Sequence, residues 1–98
     1  MLFKWFDAST ATQFGSTLAQ GVIAKIPLDI SADDKKFSRK AGELLQGMDR
    51  QIASFKQTHP LNLYKKAKLG NAFKWALLDA GYRPAYVDEL TEWLLARC

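Results

Sequence analysis

Few side chains in this sequence are of the kinds that do covalent or metal chemistry, and their spacing limits what they can do. His59 is the only histidine, and Cys98, the only cysteine, is the last of the 98 residues. A metal site wants several His, Cys or carboxylate ligands at set spacing, and one of each makes no such set. No metal, cofactor or catalytic residue is expected. Asp88, Glu89 and Glu92 stand close together in the chain, yet an acid/base pair needs burial to part its pKa values. These three are expected on a solvated helix face. Gly42 and Gly47 have the glycine spacing of a phosphate loop, but no Lys-Ser/Thr follows and the stretch has a helical pattern. An enzyme therefore ranks last among the functions considered.

Binding surfaces are better represented. Tyr64, Lys68, Asn71, Trp75 and Leu78 recur at helical spacing, forming a second face opposite the core stripe of their helix. Aromatics mixed with Lys and Asn can stack bases or fill a partner's pocket, and this face is the candidate partner-binding site. The alternative is a helix sandwiched between neighbours inside one fold. A different face is notable for what it lacks. Residues 8–24 carry no charge, and Gln13, Ser16, Thr17 and Gln20 lie opposite the apolar stripe. A neutral, small polar face suits contact with a second copy of the chain, and it equally fits a less charged solvated helix.

Charge is unevenly placed. Residues 35–78 hold ten Lys or Arg against Glu43 and Asp49, a net of +8, whereas the rest of the chain nets −4 and the whole +4. The basic region 35–74 is a possible nucleic-acid footprint, or ordinary solvation and helix–helix contact. The stretch 76–94 has the outline of a helix-turn-helix around Gly81, but its second helix would turn Asp88, Glu89 and Glu92 toward phosphates. That argues against DNA recognition.

Four helices must position these residues. The first is predicted over about 8–25, capped by Asp7 or Ser9, ended by Pro27, with Ala11, Phe14, Gly15, Leu18, Ala19, Val22 and Ile26 inward. Its small residues invite close approach of a neighbour. The second runs over about 31–58 from a Ser31/Asp34 capping pair, with Phe37, Ala41, Leu44, Met48, Ile52 and Phe55 on one stripe. At roughly 40 Å it either spans the molecule or breaks at Gly42 or Gly47. The third covers about 61–80, with Leu63, Ala67, Gly70, Phe73, Leu77 and Ala80 inward and Gly81 as its left-handed end. Pro84 opens the fourth, whose apolar face is Tyr86, Val87, Leu90, Trp93 and Leu94. Lys66 on the third core stripe and Leu95 off the fourth fit this scheme badly.

Composition bounds the rest. Apolar residues make up 48% and aromatics 12%, enough for a core and unlike a disordered chain. The reading is one all-α domain over 1–98, four helices with the second long, preceded by an apolar arm at 1–7. One cysteine implies no internal disulfide and points to a reducing, cytoplasmic setting. The opening apolar run is cut by Asp7 after six residues, too soon for a signal peptide. The function expected is a protein–protein interaction or regulatory module acting as a homo-oligomer, with nucleic-acid binding through 35–74 as the alternative.

Overall fold

The computed structural model describes residues 8–26, 28 and 35–98, and of residues 35–40 the backbone alone. Within these residues the fold is all-α, with no strand: α1 (Ser9–Lys25), α2 (Lys35–Thr58), α3 (Leu63–Ala80) and α4 (Pro84–Arg97). The arm at 1–7, the Ser31/Asp34 cap and the side chain of Phe37 lie outside the described residues.

Helix ends follow local chemistry, with two departures from expectation. The residue before α1 is Ala8, which makes no side-chain cap bond. Ser9 already lies within the helix, and Asp7 is outside the described residues. α3 begins two residues later than expected, because Asn62 is its cap: its side-chain oxygen accepts the Lys65 amide at 2.8 Å. At the far end Gly81 takes φ 107°. Its amide reaches the Leu78 carbonyl at 3.0 Å and the Tyr82 amide reaches Leu77 at 3.2 Å. This left-handed closure satisfies carbonyls the helix leaves open. Pro84 then starts α4, where its missing N–H costs nothing.

The closest packing joins α1 to α3. A Cβ at Gly15 would stand 2.2 Å from the Leu69 carbonyl oxygen and 3.3 Å from Ala72 Cβ, so only glycine permits this approach. Beyond the C-terminal ends of both helices, the Tyr82 hydroxyl donates to the carbonyls of Ile26 and Val22. Middles and C-terminal ends thus coincide, and α1 and α3 run parallel. α4 returns along α3, with Leu95 against Gly70, where an added Cβ would meet its methyl at 2.7 Å. Leu95 misses the α4 core stripe because it packs sideways onto this glycine.

α2 is continuous through Gly42 and Gly47. Its 24 residues give about 36 Å, which the 48 Å long axis of the molecule accommodates. Leu44, Met48 and Ile52 anchor it in a single apolar cluster with Leu18, Val22, Phe73, Leu77 and Leu94. Phe14 of α1 stacks on Phe55 of α2, ring centroids 4.1 Å apart and planes within 1°.

One part of the expected core is misplaced. Leu63 is 81% exposed and Ala67 is also exposed, while Leu69 is fully buried. Leu63 and Ala67 lie about 120° and 160° around the helix from Leu69. The inward arc of α3 runs from Leu69, facing α1, to Gly70, facing α4. Ala67 lies about 60° outside it. Leu63 shares the Gly70 side within about 20° but stands about 10 Å nearer the start of α3, past the end of α4 at Arg97.

Candidate interaction surfaces

The two faces singled out from sequence are carried by α1 and α3, the tightly packed pair. On α1, Gln13, Thr17 and Gln20 are exposed and Ser16 is half-buried. The opposite side of the same helix, Ala11, Leu18, Ala19 and Val22, is fully inside, so the polar row stands on a fixed base. The Thr17 hydroxyl donates to the Gln13 carbonyl at 2.9 Å. Its proton is thereby satisfied within the helix.

The α3 face is open, so the sandwiched alternative fails. Trp75 is 54% exposed, Lys68 and Asn71 are exposed, and Tyr64 and Leu78 are half-buried. The Lys68 ammonium lies 5.6 Å from the Tyr64 ring centroid, within cation–π range. Among the described residues the ion pairs are Lys74–Asp88 at 3.7 Å and Arg97–Asp49 at 3.3 Å. Lys65, Lys66 and Lys68 have no carboxylate partner among those residues. Glu89 and Glu92 stay exposed on α4, as does Asp88 beside its lysine.

Residues of reactive type are placed as follows. Cys98 is half-buried; burial pushes its thiol up, with Lys66 and then Lys56 pulling it down less strongly. A thiol held protonated is a poor nucleophile. Lys66 is half-buried, its stem covered and its charge beside this thiol, which reconciles it with the core side of α3. His59 is stacked on Phe55 at 4.6 Å, and its Nδ1 meets the Thr58 hydroxyl at 2.8 Å. By sequence alone His59 falls in a loop before Pro60. Its ring lies four residues beyond Phe55, one helical turn, and that spacing was the available signal. Among the described residues no group of three His, Cys, Asp or Glu is arranged to hold a metal ion. None of their helices is long and apolar enough to cross a membrane. Comparisons with protein families, with curated proteins and with solved structures give no match.

Proposed function

We propose that this chain is a protein-interaction module that associates with a second copy of itself through α1 and presents the Tyr64–Trp75 face of α3 to a further protein. The observation that carries this reading is the outward row of α1, exposed yet free of charge. Glutamine amides and hydroxyls are both donors and acceptors, so a twofold copy can satisfy Gln13 and Gln20 with their own equivalents. Thr17 has already met its donor need. Burying such a row requires no ion to lose its water, and twofold pairing is the commonest closed arrangement of identical chains.

The test is the mass of the protein from light scattering on a sizing column, for wild type and for Gln13→Glu combined with Thr17→Lys. The two new charges stand one turn apart with Glu N-terminal to Lys, so the helix itself is not weakened. Wild type is expected at twice the chain mass and the double variant at the monomer mass. A wild type that stays monomeric at high micromolar concentration would falsify the dimer. A dimer that tolerates both charges moves the contact off α1, to the α3 face next.

One observation favours a second reading. Lys65 and Lys68 lack carboxylate partners among the described residues, and Lys68 shares the exposed Trp75 side of the helix, a combination that also suits single-stranded nucleic acid. Anisotropy of a labelled single strand between 50 and 200 mM salt separates the two, because each phosphate contact adds to the salt slope. Binding that falls steeply with salt and is lost in Lys68→Gln and Trp75→Ala would replace the protein partner with nucleic acid.

A further inference from the structure

A shallow, open hollow of about 480 Å³ lies along α2 and is bordered by Phe14 of α1, next to the Gln13 row of that helix. One wall is aromatic. Phe55 has Phe14 on one face and His59 on the other, at 4.1 and 4.6 Å. With both faces covered, Phe55 offers its ring edge, whose partial positive charge suits the face of an electron-rich ring. The other wall is polar. Arg50, Ser54 and Thr58 follow each other at four-residue steps on α2 and all line the hollow, with the Gln51 amide beside them.

The charge of the lining has one sign. Among the described residues Arg50 is its only permanently ionised side chain, and no carboxylate of those residues lines it. The adjacent acid, Asp49, is drawn to Arg97 at 3.3 Å. The positions one turn from Arg50 on either side, Gln46, Gly47, Ala53 and Ser54, hold no carboxylate. The guanidinium is thus left with its fork of donors unpaired by any acid of the described residues, beside a hydroxyl and an aromatic wall. The orientation of a ligand also follows. The C-terminal end of α2, at Thr58, repels anions, but this effect fades within the last turn. Arg50 lies about 12 Å before it, so a negative group belongs at Arg50 and an uncharged ring toward Phe55 and His59.

We infer that this hollow binds a planar aromatic carboxylate, the carboxylate on Arg50 and Ser54 and the ring against the Phe14–Phe55–His59 wall. The rise from residue 50 to residue 55, about 7.5 Å, is the reach of a one- or two-ring acid, and an Arg fork matches a carboxylate with two parallel bonds.

The probe is 1-naphthoate, titrated into the full chain and followed by calorimetry, with 1-naphthylmethanol as its uncharged counterpart. Saturable one-to-one binding is expected, at least tenfold weaker for the alcohol and at least tenfold weaker for naphthoate with Arg50→Gln. Arg50 is exposed, so that variant keeps its fold, which circular dichroism checks. Lys25→Gln, on α1 and outside the lining, should leave binding unchanged. Absence of saturation at millimolar naphthoate overturns the site, and so does equal binding by Arg50→Gln and wild type.

Discussion

Tyr82 shows how one side chain ties two helices to a pH range. It is 5% exposed, and its hydroxyl donates to carbonyls at the end of α1. Burial pushes its phenol above the usual tyrosine range. Tyr86, tilted against it at 6.1 Å, is raised by burial first and then by Tyr82 and Glu89. The folded chain therefore keeps these protons at pH values where the unfolded chain releases them. The stability they contribute is complete below about pH 10, the ordinary tyrosine value, and is lost as pH rises through the folded values. Tyr82→Phe deletes the donor and the titration together. It should cost about 1 kcal/mol near neutrality, and its stability should fall less steeply than wild type above pH ~10. Urea midpoints at neutral and alkaline pH measure both, and an alkaline slope equal to wild type would place the titration elsewhere.

At the scale of elements the six glycines divide sharply. Gly15 faces the Leu69 carbonyl, while Gly21, Gly42 and Gly47 have nothing within 4 Å of an added Cβ. Inside a helix, Gly to Ala gains about 1 kcal/mol when space is free. Gly47→Ala should therefore stabilise by up to about 1 kcal/mol, and Gly15→Ala should destabilise by about 1–3 kcal/mol through overpacking against backbone. Thermal midpoints moving in the same direction would show that α1 and α3 do not approach as described. Sequence alone made the four helices, the α1 and α4 stripes and the Gly81 turn legible, because each rests on local periodicity or on φ chemistry. It did not separate Gly15 from Gly47, since only the partner's backbone does that. It placed Leu63 inward because that residue shares the Gly70 side of α3, and only the end of α4 at Arg97 shows that no neighbour reaches it. The exposed state of Trp75 was open because it too depends on where the neighbours lie. The His59 stack on Phe55 follows from one-turn spacing and was within reach of the sequence; only the Phe14 ring that covers the other face of Phe55 comes from tertiary packing.

For the molecule as a whole, the buried residues of all four helices form one cluster, and one cooperative transition should result. Ile52 is 1% exposed on the helix that makes the fewest close approaches to the rest. Ile52→Ala should cost about 2–5 kcal/mol, and it should shift helical circular dichroism and tryptophan fluorescence together, since Trp93 of α4 packs on the same cluster. Transitions that separate under this substitution would show α2 melting on its own.

The parallel run of α1 and α3 has a consequence in time as well as in space. Tyr82 bonds to carbonyls 56 and 60 residues earlier in the chain, so the tightest pairing joins segments far apart in sequence. The α3–α4 hairpin closes over a short turn, while α1 can find its partner only after all of α2 and α3 exist, at the entropy of a long loop. During synthesis α1 is therefore made before its partner and must wait, its apolar stripe of Leu18, Val22 and Ile26 uncovered until α3 emerges. That interval is when a newly made chain is most open to a wrong partner. The missing charge on its other face does nothing to keep such encounters away.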